Sequence, residues 1–128
     1  MSEVITERIT HWLRTTKAAS GTIVRGVRFA DETFISDVDT KDYPALSLEQ
    51  AWRVVSDAFQ VLAAQKLPPT RLSWVYEKAV LHCVRRGDGA IFGVFVTKKT
   101  ADVDVNGLNR MLNEFLNMTE DSSAPSPI

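Results

Sequence analysis

Apolar residues recur at helical spacing in three stretches of the chain, and strand-like runs fill the gaps between them. In residues 3–17, Ile5, Ile9, Trp12 and Leu13 share one side of a helix and Glu7, His11 and Arg14 the other, with Ser2 placed as N-cap. Residues 22–29 and 33–39 predict a β-hairpin. Ile23, Val27 and Phe29 alternate with Arg25 and Arg28, and Phe34 and Val38 with Asp37 and Asp39, around a polar turn at Ala30, Asp31 and Glu32. The second strand and its flanks also carry Asp31, Glu32 and Asp42, charge that suits a guarded outer edge.

Residues 48–66 predict the clearest helix. Ser47 and Gln50 fit a capping box at its start, and Pro68 and Pro69 stop it. At about 100° per residue, Leu48, Trp52, Val55, Phe59 and Leu62 form one stripe. Val54, Ala58 and Val61 widen that stripe to one side, and Ala51 joins the two. The apolar arc spans roughly 200°, about twice what a surface helix needs.

Residues 71–97 predict a three-strand meander over 71–77, 79–86 and 90–97, with a turn at Gly87, Asp88 and Gly89. The run 90–96 is continuously apolar, so its strand requires cover on both faces. Gly93 within it marks a close approach by a neighbouring backbone or helix. Residues 105–117 predict a closing amphipathic helix carrying Val105, Leu108, Met111, Leu112, Phe115 and Leu116, with Asp104 as N-cap. Residues 119–128, rich in Ser and Pro, read as a frayed tail.

The order is thus α-β-β-α-β-β-β-α. It predicts an α+β fold, a three-layer α/β/α sandwich around a five-stranded, mainly antiparallel sheet, in one domain over residues 1–118. The middle helix is expected on one face and the terminal helices on the other.

Two stretches carry more apolar surface than a monomer of this plan hides. One is the widened middle helix. The other is the unprotected edge Leu72, Ser73, Trp74, Val75 and Tyr76, where Trp74 and Tyr76 share a face. Together they predict a joint with a second chain through Ala51, Val54, Ala58, Val61 and Gln65 on the helix and Leu72, Trp74 and Tyr76 on the strand. Ala58 is small enough to let two helices approach closely.

Composition narrows the function classes. The chain has 128 residues, 45% hydrophobic and 24% charged, as expected of one globular domain. A net charge of −1 gives no basic field for nucleic acid or an anionic membrane. One cysteine, Cys83, makes no internal disulfide, and residues 1–17 lack the apolar core of a secretion signal. The expected compartment is the cytosol, with no membrane insertion.

No catalytic motif emerges, and no cofactor or metal is expected. His11 lies on the polar side of the first helix. His82 and Cys83 are strand neighbours that point to opposite faces, so they make no catalytic pair, and His82 is expected to be half-buried and hydrogen-bonded. Gly87, Asp88 and Gly89 lack the Lys-Ser/Thr that follows a phosphate loop. Arg85, Arg86, Lys98 and Lys99 end adjacent strands and read either as ordinary surface charge or as a basic docking cluster for an acidic partner.

The element order, the strand Thr22 to Val27, the middle helix, the meander from Leu72 to Lys99 and the closing helix resemble the roadblock/dynein light chain 7 family, of roadblock/longin-like fold. The resemblance covers about residues 3–117. One departure is the first hairpin turn, where many members have glycine and this chain has Glu32 and Thr33. The resemblance implies a dimer with itself or a homologous subunit, in which middle helices pack together and the first meander strands join two sheets. It also implies a binding platform for a small Ras-like GTPase or a motor complex. Some bacterial members accelerate GTP hydrolysis by a partner GTPase with no active site of their own. Two other classes stay open: a chaperone of the type III secretion class, and a domain that senses a small ligand.

Overall fold

The computed structural model of the chain describes residues 3–38, 41–67 and 69–119. Helix α1 (Glu3–Thr15) leads to strands β1 (Thr22–Arg28) and β2 (Phe34–Ser36), then to helix α2 (Ala45–Ala64). Strands β3 (Leu72–Val75), β4 (Ala79–Arg85) and β5 (Ile91–Thr97) follow, and helix α3 (Val105–Asn117) closes the fold. The sheet order is β2-β1-β5-β4-β3, with every neighbouring pair antiparallel. The continuously apolar strand is therefore the central one, as its need for double cover required. α1 and α3 pack on one face against Val27, Phe92 and Val94, and α2 packs on the other against Val24, Leu81 and Phe95. Ser2, Asp39, Pro68 and the expected tail from residue 120 lie outside the described residues.

Two glycines set how α2 docks. Gly26 and Gly93 lie opposite each other in the β1–β5 ladder. A Cβ on Gly93 would sit 2.5 Å from Cζ2 of Trp52, and one on Gly26 would sit 2.8 Å from Cζ of Phe34. Their missing side chains leave a slot that the fully buried Trp52 indole fills, and its Nε1 donates to the Gly26 carbonyl at 3.1 Å. The polar end of the ring thus has a partner, which a buried indole needs.

Several local expectations are corrected. The N-cap of α2 lies three residues before the expected one. Pro44 occupies the N-cap with no side-chain bond, so Ser47 lies inside the first turn. Proline suits that start because its fixed φ of −69° needs no adjustment and it has no amide to satisfy. The helix ends before the prolines. Lys66 adopts φ 62°, with Lys66 N bonding Ala63 O at 3.0 Å and Leu67 N bonding Leu62 O at 2.9 Å. That pair of bonds is a Schellman ending, made here without the usual glycine. In the first hairpin Glu32 takes φ 75°, the left-handed conformation glycine favours. The Asp31 carboxylate braces the turn by accepting from Thr33 N at 3.1 Å and Thr33 Oγ1 at 2.6 Å, and these bonds lower its pKa.

Arg25, Arg28 and Asp37 are not the solvated charges of an alternating strand. Arg25 is 5% exposed and Arg28 8%. Arg25 Nε donates to Asp37 Oδ2 at 2.8 Å, and its other nitrogens reach Leu13 O and Met111 Sδ. Asp37 Oδ1 also accepts from Arg25 N at 2.8 Å. One ion pair thereby ties the chain after β2 to α1, β1 and α3. β2 itself spans three residues, shorter than the expected 33–39, because the segment turns inward at Asp37.

Candidate interaction surface

The expected joint is built from one flank of α2 and the edge strand β3. Trp52 fixes the roll of α2 by reaching β1 and by stacking edge-on against Phe34 of β2, ring centroids 5.3 Å apart. The opposite flank then faces β4 and β3. Ala51, Val54, Ala58, Val61 and Gln65 follow one another along it at steps of three and four. Ala51 and Ala58 are half-buried, Gln65 is exposed, and Val54 and Val61 are 60% and 56% exposed.

Among the described residues β3 is bonded on one side only, to β4. Leu72 and Trp74 are half-buried against the core beneath α2, and the Tyr76 ring centroid lies 5.6 Å from that of Phe95. Tyr76 N donates to Ala79 O at 2.8 Å. By the alternation of an antiparallel ladder, Trp74 and Leu72 also turn their backbone groups toward β4. Ser73 and Val75 direct theirs outward, where no described strand meets them. Val75, on the opposite face from Trp74, is 73% exposed. The period-two pattern placed it there, but the apolar reading weighted only the two aromatics.

The start of the edge is braced by residues that sequence patterning did not bring together. His82 Nδ1 lies 2.8 Å from Ser73 Oγ and 3.1 Å from an Arg71 guanidinium nitrogen. Arg71 also donates to Asn109 Oδ1 of α3 at 2.9 Å. An arginine can only donate, so Nδ1 is an acceptor and the imidazole is neutral. Burial pushes the His82 pKa down, and the Arg71 charge adds to this. The expected half-buried, hydrogen-bonded histidine is found, with β3 and α3 as the elements it links. Cys83 points to the other face, fully buried, and burial raises its thiol pKa far above the ordinary value. His11 is exposed on α1.

The four basic residues do not form one cluster. β4 and β5 are antiparallel, with Arg85 opposite Ile91 and Ala79 opposite Thr97. Arg85 and Arg86 therefore lie at one end of the sheet and Lys98 and Lys99 at the other. Arg86 is committed internally, pairing with Asp88 and donating to the Phe115 carbonyl.

At the amino end of α2 a groove of about 450 Å³ opens between the helix and the β3–β4 turn. Tyr43, Leu48, Ala51, Tyr76 and Phe95 give it apolar walls, and Asp42, Glu77 and Lys78 stand on its rim. Among the described residues no group of His, Cys, Asp and Glu could hold a metal ion, and no helix is long and apolar enough to cross a membrane.

No family model matches the chain, and no curated protein matches it. Among solved structures it is similar to Myxococcus xanthus MglB, with a TM-score of 0.59 at 13% sequence identity, over 73% of this chain and 76% of that one. The likeness is one of architecture: the chain has a roadblock-like fold.

Proposed function

We propose that this chain is a non-enzymatic, homodimeric binding module that regulates or recruits a small Ras-like GTPase through a surface completed only in the dimer. The observation that carries the reading is that the apolar flank of α2 and the free edge of β3 open on the same side of the molecule. A two-fold axis perpendicular to the sheet would pair β3 antiparallel with its copy. The same operation would bring Val54, Ala58 and Val61 against their counterparts. Both surplus apolar regions would be covered at once, and the outward backbone groups of Ser73 and Val75 would gain partners.

The GTPase is the partner class that the family resemblance implies, and the roadblock-like fold supports that resemblance. Such a module acts by presenting a shaped surface, so it needs no catalytic group of its own. Two measurements test the proposal. Light scattering at micromolar concentration should give twice the chain mass, and a monomer that recovers no partner from lysate would end the dimer reading. Immobilised protein should retain a GTPase in a nucleotide-dependent way. Retention of an unfolded effector segment would replace the regulator with a chaperone.

A further inference from the structure

The groove at the amino end of α2 has aromatic walls, and among the described residues nothing fills it. We infer that it receives Leu67 of a second copy, with Lys66 of that copy facing the acidic rim; this rests on the dimer proposed above. The argument starts from where α2 lies. Its first turns stand over Phe95 and Ala79, since Leu48 and Ala51 share the groove with them. Trp52 then stands over Gly93, so the helix runs toward the Ile91 end of β5, away from the groove. Groove and helix terminus therefore sit at opposite ends of one chain, and a chain cannot fill its own groove with its own terminus.

A two-fold axis through the β3 edge reverses that relation. It places the start of the copy's β3 beside Val75 and Tyr76, and brings the copy's α2 terminus over the groove. The Schellman ending of α2 holds Leu67 out from the helix, 64% exposed, although it is a large apolar residue. Beside it, exposed Lys66 carries the complementary charge. The rim has Asp42 and Glu77 against the single cation Lys78, so it is net negative and suits an incoming lysine. An aliphatic side chain against Tyr43, Tyr76 and Phe95 would also take apolar surface of both copies out of water. By symmetry each dimer contains the contact twice, which doubles any effect of a substitution.

The cross-linking test uses two variants of the full chain. Leu67→Cys and Tyr76→Cys are co-expressed and treated with a short bis-maleimide. The native Cys83 is buried with a raised thiol pKa and does not compete. A covalent dimer should form in the mixture and not with either variant alone. If light scattering shows a dimer that does not cross-link in this way, the occupant is wrong and the dimer stands. If it shows a monomer, both are wrong. Leu67→Asp supplies the second readout. With the circular dichroism unchanged, its dimer dissociation constant should rise by about tenfold or more. An unchanged constant would overturn the inference.

Discussion

Gly93→Ala is the smallest change that should damage the fold most. The added methyl would lie 2.5 Å from Trp52 Cζ2, 2.9 Å from its Cε2 and 3.1 Å from Cys83 Sγ. Ordinary carbon contacts lie at about 3.5–4.0 Å, so the indole must retreat by roughly 1 Å. It has no free direction in which to move. Phe34 and Phe95 flank it at 5.3 and 5.8 Å between centroids, and the ring is fully buried. Overpacking of this kind costs about 1–3 kcal/mol. Drawing Nε1 away from the Gly26 carbonyl leaves a buried donor unpaired, at about 1–3 kcal/mol more. Removing a strand glycine returns about 0.5–1 kcal/mol. The expected net loss is about 3 kcal/mol, which should lower Tm by roughly 10 °C for a domain of this size. Urea and thermal unfolding at one fixed protein concentration measure it. The double variant Gly93→Ala with Trp52→Leu should show strong coupling, because the smaller side chain removes the clash. A Gly93→Ala protein within about 0.5 kcal/mol of the parent would refute the slot as the determinant of α2 docking.

Three further outcomes are expected. Val54→Glu or Ala58→Glu should convert the proposed dimer to a monomer by light scattering, since each would bury an unpaired charge at the joint; a variant that stays dimeric would show that this flank lies outside it. Asp37→Ala should cost about 3–5 kcal/mol in urea unfolding, because it strands the Arg25 guanidinium, whose side chain is 6% exposed, away from its counter-charge. The folded pKa of His82 is below its ordinary value of about 6.5, so the unfolded chain binds the extra proton first and stability should fall as pH drops below that value. His82→Gln should flatten that part of the stability profile, and an unaltered slope would place its origin elsewhere.

The periodicities that reported the fold are those in which one residue's environment decides its chemistry. The double cover of β5, the core stripe Leu48, Trp52, Val55 and Phe59, and the Asp104 cap accepting from Gly107 N at 3.0 Å are all local statements of this kind. Failures came where two distant residues decide together. Arg25 is polar in any pattern, and only its meeting with Asp37 twelve positions on makes it a core residue. The basic pairs looked adjacent because strand ends were counted without strand direction. Glu32 and Lys66 take left-handed backbone conformations with no glycine to announce them. For the surface, the α2 flank was legible as surplus hydrophobicity. Leu67 was not, because a single apolar residue before a proline pair has no period to stand out against.

The sheet has two borders, and they differ in what they permit. At β2 the paired stretch ends after three residues, and Asp37 is drawn into the molecule by Arg25. At β3 the outward backbone groups of Ser73 and Val75 meet no described strand. If two copies join at β3 as proposed, the border left on each is the three-residue β2, a short edge that offers little for a further strand to pair with. The buried Arg25–Asp37 pair therefore does more than hold α1, β1 and α3 together. It also keeps the β2 border short, so that under the proposed pairing at β3 assembly would stop at a closed pair instead of growing into a fibre.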